Sequence, residues 1–209
     1  MKGRIMVLSR HVLSCLQMRT HVILCIVAVL ISLLVVSAVG CQEIYCGRAL
    51  EYIANGSKLV GDEEYEQAIE EFDKAIEVCP DSISAHRERG EAYYRMEEYG
   101  QAIADYTKAI SLFPESGRKH DSYADVHFKR GNAYYRTGEY NEAIADYTKT
   151  IEIDPNLAEP YFNRGLVYSV QGREAEARGD FETFISLSDD PEKIAQAEQR
   201  TGELIEKLS

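Results

Sequence analysis

The chain has 209 residues, of which 45% are hydrophobic and 10% are aromatic. Its 35 acidic residues outnumber its 23 basic residues, which gives a formal net charge of −12 at pH 7. This acidic balance argues against binding to nucleic acid or to an anionic membrane surface, and most of it describes solvated helix faces.

Residues 1–40 predict an export signal or a membrane anchor. Residues 22–39 form an apolar run that is interrupted only by two serines, and small residues then lead to Cys41. A basic segment, an apolar segment and a small-residue run are typical of a secretory signal. Its removal would take four basic and no acidic residues from the chain, and the net charge would fall from −12 to −16. The four basic residues are Lys2, Arg4, Arg10 and Arg19.

Two modes of anchoring stay open for this segment. The small residues that end in Cys41 resemble a bacterial lipobox, which implies that the cysteine is lipidated and becomes the mature N-terminus; Met18 is an alternative start. Alternatively, the apolar run forms an uncleaved helical anchor about 27 Å long. In both cases the protein is attached to a membrane, and the part after Cys41 lies on the extracytoplasmic side, which is the periplasm or the cell surface in a bacterium. Residues 41–48 are then a short tether.

One segment occurs four times in the rest of the chain. Residues 89–110 and 130–151 are nearly identical, and weaker copies occupy 55–76 and 164–185. The distance along the chain from the first copy to the second equals that from the third to the fourth. The distance from the second copy to the third is seven residues longer. Self-similarity at a fixed spacing is typical of stacked repeat units. The pattern therefore predicts four units of about 34 residues each, with a short insertion in the middle.

Each copy predicts two antiparallel helices. In the first half, apolar or aromatic residues lie four before and three after a glycine, which keeps them on one helical face. In the second half, small and aromatic residues recur with i, i+4, i+7 spacing, as Ala102, Tyr106 and Ala109 do. The glycine and the alanine allow the two helices to approach closely. A proline follows the second helix in three units. The glycines are Gly56, Gly90, Gly131 and Gly165, and the prolines are Pro80, Pro114 and Pro155.

These residues resemble the tetratricopeptide repeat (TPR) family over about residues 49–189. Three positions depart from the family pattern: Thr150 and Phe184 stand where alanine is usual, and Asp189 stands where the fourth unit would have its proline. The resemblance implies an all-α fold, namely an α-solenoid of about four helix-turn-helix repeats with a C-terminal capping helix, preceded by one hydrophobic N-terminal helix. The expected units are 49–82, 83–116, 124–157 and a degenerate fourth at 158–190, with an inserted loop at 117–123 and the cap at 191–209. Asp190 is expected to cap that last helix.

Catalytic motifs are absent from the sequence, which contains no P-loop, no glycine-rich dinucleotide turn, no HExxH and no GxSxG. His86 and His127 occupy equivalent places, four residues before the glycine of their units. We expect them to replace a larger aromatic side chain rather than bind a metal, because no carboxylate or cysteine recurs beside them. The chain is therefore predicted to be no enzyme and to use no cofactor.

A second stripe on the first helix of each unit predicts a binding surface. In the TPR family this stripe faces a concave groove that holds partner peptides. Three arginines and four aromatic residues occupy it in the middle of the chain, which favours an acidic or aromatic protein segment as partner. The Lys–Asn arrangement that binds chaperone tails in some TPR proteins is missing, since Ile53 and Ser57 stand in its place. The groove residues are Arg87, Tyr94, Arg95, Phe128, Asn132, Tyr135, Arg136 and Phe162.

The resemblance implies a non-catalytic scaffold for protein–protein interactions, tethered to a membrane outside the cytoplasm and binding partner segments in the groove. The alternative is a solute- or glycan-binding module that uses the aromatic groove. Neither function involves nucleic acid.

Two further contacts are predicted from the positions of charged residues and cysteines. An arginine directly precedes the glycine in three units, and an aspartate recurs at one fixed distance after that arginine, which predicts an ion pair within each unit. The pairs are Arg89 with Asp105, Arg130 with Asp146, and Arg164 with Asp180. Cys46 and Cys79 lie at the same pole of the first helix pair, where a disulfide is geometrically possible. Two isolated thiols are the alternative.

Overall fold

The computed structural model describes residues 46–115 and 121–208, with side chains described as far as residue 203. The chain divides into two compact parts, Met1–Gly47 and Arg48–Ser209, and the helical repeats lie in the second part. The predicted export or anchor segment and Cys41 lie outside the described residues. Within the described residues, no helix has both the length and the hydropathy of a membrane span.

The described residues form helices joined by short connections. Consecutive helices pack as pairs, and each pair packs against the next one along the chain. This arrangement of stacked helix pairs is the expected all-α repeat architecture. The helices are α1 (46–61), α2 (Tyr65–Val78), α3 (Ile83–Arg95), α4 (Tyr99–Leu112), α5 (Asp121–Thr137), α6 (Tyr140–Ile153), α7 (Ala158–Val170), α8 (Glu174–Leu187) and α9 (Pro191–Leu208). Units 1 to 4 below are the pairs α1–α2, α3–α4, α5–α6 and α7–α8.

The turn between the two helices of a unit has the same form in all four units. One residue adopts a positive φ, and the amide of the next residue donates to the carbonyl five residues before it, as Glu98 does to Tyr93 at 2.9 Å. This is the Schellman ending of a helix, which favours glycine at the residue with positive φ. Units 3 and 4 have glycine there, whereas units 1 and 2 have glutamate. The residues are Glu63, Glu97, Gly138 and Gly172.

The contact between the two helices of a unit is centred on glycine and an aromatic ring. A Cβ atom at Gly90 would lie 2.9 Å from a ring carbon of Tyr106, and one at Gly131 would lie 2.9 Å from Tyr147. These distances are shorter than a van der Waals contact, so only glycine lets the ring pack against the helix backbone. The four rings at this position are fully buried and are those of Phe72, Tyr106, Tyr147 and Phe181.

The two residues that replace the usual alanine, Thr150 and Phe184, are both buried in the core. Thr150 is fully buried, and its hydroxyl donates to the carbonyl oxygens of Ala124 at 3.3 Å and Asp146 at 3.0 Å, which satisfies the polar group. Phe184 is fully buried as well, and its ring centroid lies 5.0 Å from that of Phe162. The fourth unit thus fills with an aromatic ring the space that an alanine would leave.

Helices α5 and α9 differ in how well their starts were predicted. Helix α5 begins at Asp121, inside the expected inserted loop, because Asp121 is favourable in a first turn and Tyr123 is buried against Phe113, with ring centroids 5.0 Å apart. For α9 the expectation is confirmed, since the Asp190 carboxylate accepts from the backbone N–H groups of Glu192 and Lys193 at 3.0 and 3.2 Å. Helix α9 packs on α8 and closes the end of the stack.

The predicted ion pairs between arginine and aspartate are confirmed in units 2, 3 and 4. In each unit the arginine Nε and Nη2 atoms donate to the two carboxylate oxygens of the aspartate at 2.7–2.8 Å. The Nη1 atom of the same guanidinium reaches the preceding unit. Its acceptors are Asp73 for Arg89, Thr107 for Arg130 and Thr148 for Arg164. One side chain therefore joins two helices of its own unit and one helix of the unit before.

The expectation that no carboxylate lies beside the two histidines is wrong. The Nδ1 atom of His86 lies 3.1 Å from an oxygen of Asp105, and that of His127 lies 2.7 Å from Asp146. The sequence does contain a signal for these contacts, because each histidine lies three residues before the arginine that pairs with the same aspartate, and therefore on the same face of the helix. Both histidines are buried. Among the described residues, no group of three metal-ligating side chains is found.

Candidate binding groove

The predicted groove residues lie on the first helices of units 2, 3 and 4, and half of them line one cleft. This cleft has a volume of about 240 Å³ and lies between α3 and α5; we call it the central cleft. It brings together Tyr94, Arg95, Phe128 and Asn132, as the stripe predicts. The other four predicted groove residues do not line it; they are Arg87, Tyr135, Arg136 and Phe162. The cleft also contains Glu91, Tyr106, Asp125 and Lys129.

Glu91 is the electrostatic centre of the central cleft. Its carboxylate accepts from the Nζ atom of Lys129 and from the Nε atom of Arg95, each at 2.8 Å, and from the hydroxyl of Tyr106 at 3.3 Å. Burial favours the protonated carboxyl, but the hydrogen bonds from Lys129 and Arg95 outweigh it and lower the pKa of Glu91. Glu91 is therefore a carboxylate at neutral pH and joins α3 to α5.

The three arginines of the stripe all have acidic neighbours. Arg87 forms an ion pair with Glu88, and Arg95 pairs with Glu91. Arg136 lies 3.7 Å from a carboxylate oxygen of Glu97, and its guanidinium lies over the ring of Tyr99, 5.2 Å from the centroid. These contacts neutralise the positive charges on which the expectation of an acidic partner depends.

The aromatic residues of the stripe contact other rings of the protein. Tyr94 packs edge-on against Tyr99, with centroids 5.3 Å apart, and the ring of Tyr135 lies 6.1 Å from that of Tyr140. Phe162 contacts the core rings of Phe181 and Phe184. Phe128 lies 5.9 Å from Tyr147 and presents its other side to solvent in the cleft. These ring–ring contacts hold the aromatic side chains of the stripe in place, and the ring atoms that remain exposed are available for contact with a partner.

A polar contact continues the groove from unit 3 to unit 4. The side-chain oxygen of Asn132 accepts from the hydroxyl of Tyr147 and from the amide of Asn163, both at 2.8 Å. Asn132 is therefore held in one orientation and couples α5 to α7.

Two cleft residues, Asp125 and Lys129, were missed by the sequence analysis. They lie six and two residues before Gly131, whereas the stripe consists of the residues three before and one, four and five after the glycine of each unit. Asp125 precedes Phe128 by three residues and Lys129 by four, so helical spacing from Phe128 could have found Asp125, and helical spacing from Asp125 could then have found Lys129.

A second cleft lies next to the central one, between units 3 and 4; we call it the acidic cleft. It has a volume of about 380 Å³ and shares Phe128 and Asp125 with the central cleft. Helices α5 and α6 contribute half of its lining, and the connection between α6 and α7 and the start of α7 contribute the rest. The lining residues are Asp121, Asp125, Phe128, Thr150, Asp154, Leu157, Glu159 and Pro160.

Stacked helix pairs with two adjoining clefts along their first helices define a helical-repeat protein. The repeats are similar to tetratricopeptide repeats: a model described as TPR repeat matches residues 56–97 and 131–172, and a model described as tetratricopeptide repeat matches residues 83–116. No curated protein matches the chain.

Solved structures share this fold. A crystal structure of MamA protein is 22% identical, with a TM-score of 0.67, and the match covers 76% of this chain and 81% of that one. Another crystal structure of MamA is 28% identical, with a TM-score of 0.61 and coverage of 71% and 81%. The first TPR of Spaghetti (RPAP3), bound to the HSP90 peptide SRMEEVD, is 23% identical, with a TM-score of 0.54 and coverage of 59% and 93%.

Proposed function

We propose that this chain is a non-catalytic scaffold that binds segments of partner proteins in the groove along α3, α5 and α7. The observation that carries the proposal is the continuity of this groove, in which side chains of consecutive units are held together by Glu91–Lys129 and Asn132–Asn163 contacts. One structural neighbour, the first TPR of Spaghetti, holds a peptide in its solved structure. A groove that is held rigid before binding loses little conformational entropy when a partner docks.

Site-specific photocrosslinking in intact cells tests this proposal. Benzoylphenylalanine in place of Tyr135, which lies on the predicted groove stripe, should give a crosslinked product that mass spectrometry identifies as one reproducible protein. The matched control replaces Ser111, which is exposed on α4 and outside the stripe. Equal crosslinking at both positions, or none at Tyr135, would contradict a groove-directed scaffold.

We also propose that the scaffold is tethered to a membrane by residues 1–41 and faces the extracytoplasmic side. The support is the basic segment, the apolar run and the small residues before Cys41. Metabolic labelling with an alkynyl fatty acid should mark the wild-type protein, and Cys41→Ser should abolish both labelling and cleavage. An unlabelled product that retains residues 22–40 would instead identify an uncleaved anchor.

The predicted bond between Cys46 and Cys79 belongs to this proposal, because disulfides persist outside the cytoplasm. The support is the sequence position of Cys46 at the start of the first predicted helix and of Cys79 at the end of the second, which puts both at the same pole of an antiparallel pair. A loop of this length would stabilise the folded state by roughly 3–4 kcal/mol on the chain-entropy model. Titration of the unfolded mature protein without reductant should find neither of these thiols free. Two reactive thiols would exclude the bond.

The aromatic rings of the groove pack against other rings, so no feature of the described residues favours the glycan-binding alternative. The photocrosslinking experiment separates the two functions, since a glycan-binding module would yield no specific protein partner.

A further inference from the structure

The acidic cleft has a composition that suits a particular kind of side chain. Its apolar surface comes from Phe128, Leu157 and Pro160, and Leu157 is unusually exposed for a leucine, at 38%. Its rim is formed by four acidic residues, and no lysine, arginine or histidine in the described part of the chain lines it. The acidic residues are Asp121, Asp125, Asp154 and Glu159.

Asp125 is a half-buried carboxylate of this rim, and no hydrogen-bond donor to it is found among the described residues. Burial raises the pKa of Asp125, and no hydrogen bond contributes to its shift. Lys129 and Arg87 partly offset this rise in pKa through their charge, but both form their ion pairs with other residues, since Lys129 donates to Glu91 at 2.8 Å and Arg87 is paired with Glu88. A half-buried carboxylate without a donor carries a desolvation penalty that an incoming cation would offset.

The remaining carboxylates are also only weakly engaged. Asp154 accepts one backbone N–H, from Asn156 at 2.9 Å, and Glu159 lies 3.6 Å from the Nζ atom of Lys193. Asp121 is exposed. The cleft therefore keeps a net negative charge beside an apolar surface.

We propose that the acidic cleft binds a basic side chain, arginine or lysine, of the segment that occupies the groove. The alkyl part of that side chain would lie on Phe128, Leu157 and Pro160, and its charged end would lie among Asp121, Asp125 and Asp154. Long basic side chains combine an apolar stem with a cationic head, and a cleft of about 380 Å³ can hold one such side chain and its flanking backbone. This inference rests on the proposed scaffold function and specifies the chemistry of its partner. It also reverses the preference for an acidic partner that the sequence suggested.

The test compares peptides that differ only in charge. The probes are acetyl-Gly-Leu-Arg-Gly-amide and its citrulline counterpart, which has nearly the same shape as arginine without the charge. Binding to the full-length chain in a non-ionic detergent is followed by ¹H–¹⁵N TROSY spectra. We expect the arginine peptide to shift the amide signals of Asp125, Leu157 and their neighbours, and to bind about fivefold more tightly than the citrulline peptide.

Variants of the protein locate the effect. Asp125→Asn should weaken binding of the arginine peptide about two- to fivefold, and Asp154→Asn gives the same test if the first variant folds poorly. The matched control is Asp62→Asn, which removes the same charge from an exposed turn between α1 and α2 and should leave binding unchanged.

Several results would overturn the proposal. Equal binding of the two peptides, or equal loss in the Asp62 and Asp125 variants, would show that no specific cation site exists. Concentration-dependent shifts of the cleft amides without peptide would identify a second copy of this chain as the occupant. If these tests fail while Tyr135 still crosslinks to a protein, the scaffold function stands and only the basic side chain is excluded.

Discussion

Units 2 and 3 have nearly the same sequence over residues 89–110 and 130–151, yet their buried histidines meet different surroundings. Both histidines contact the aspartate of their unit through Nδ1. The Nε2 atom of His86 lies 3.0 Å from the carbonyl oxygen of Pro80, whereas that of His127 is buried with no partner in the described part of the chain. The sequences that differ are those leading into the units.

The connecting segments explain this difference. Pro80 lies in the turn before α3, ten residues ahead of Gly90, so its carbonyl is free to face the histidine. The residue at the same distance from Gly131 is Asp121, which already belongs to α5. The earlier start of α5 thus removes an acceptor. The residues of a repeat unit therefore do not supply all of its buried polar contacts, because the segment that precedes the unit supplies one of them.

The largest effect should come from the aspartates that both units share. Asp105→Ala and Asp146→Ala would each remove the carboxylate that a half-buried arginine and a buried histidine share, and each should lower the free energy of unfolding by about 3–5 kcal/mol. Chemical denaturation followed by circular dichroism measures the losses. We expect the larger loss for Asp146→Ala, because Arg89 keeps Asp73 and His86 keeps the Pro80 carbonyl as acceptors when Asp105 is removed, whereas His127 has no second acceptor in the described part of the chain.

The same aspartates make stability depend on pH. Burial opposes ionisation, but hydrogen bonds from the arginine and the histidine outweigh it and lower the pKa of Asp105 and Asp146. Their contribution to stability is therefore complete above the unfolded pKa of about 3.9 and is lost as the pH falls through the lower folded values. The melting temperature of Asp146→Asn should fall less steeply below pH 4 than that of the wild type. Parallel curves would contradict the assignment.

The next effect concerns the glycines that contact the aromatic rings. Gly90→Ala and Gly131→Ala would each place a Cβ atom 2.9 Å from a tyrosine ring, and each should destabilise the protein by about 1–3 kcal/mol. Gly100→Ala is the control, because Gly100 lies in α4 with open space around it and should gain about 0.5–1 kcal/mol from helix propensity. Thermal unfolding should show a lower melting temperature for Gly90→Ala and Gly131→Ala and a higher one for Gly100→Ala. A lower melting temperature for Gly100→Ala would contradict this explanation.

The histidines should respond unequally, which tests the comparison itself. His86→Phe removes two polar contacts and leaves the Pro80 carbonyl without its donor, whereas His127→Phe removes one contact and one unsatisfied nitrogen. We expect the loss of stability at His86 to exceed that at His127 by about 1 kcal/mol. Equal losses in urea titrations would mean that the connecting segment does not matter.

The smallest effect concerns the residue with positive φ in the turn between the helices. Glu97 in unit 2 has φ 61°, and its counterpart in unit 3 is Gly138 with φ 84°. Glu97→Gly should stabilise the protein by about 0.5–1 kcal/mol, and Gly138→Ala should destabilise it by a similar amount. Differential scanning calorimetry of both variants checks the signs. A loss in Glu97→Gly would indicate that its contact with Arg136 outweighs the backbone strain.

Features that recur along the chain were predicted well, and contacts between units were not. The glycine–aromatic packing and the Arg–Asp pairs follow from spacings that repeat, so the sequence predicts them. The acidic cleft was missed because Asp125 comes from α5, whereas Asp154 and Leu157 come from the connection between α6 and α7, and these two segments meet only in the folded array. The neutralised charge of Arg95 could have been predicted, since Glu91 precedes it by one helical turn.

The arginine of units 2, 3 and 4 gives the array a direction. Each guanidinium donates one hydrogen bond backwards, to the unit that precedes it in the chain. During synthesis, the acceptor on the earlier unit is therefore already present when the arginine that needs it leaves the ribosome. Domains generally fold in this N-to-C order as they are made. The repeats can dock one after another as the chain grows, and none of these donors has to wait for a later segment.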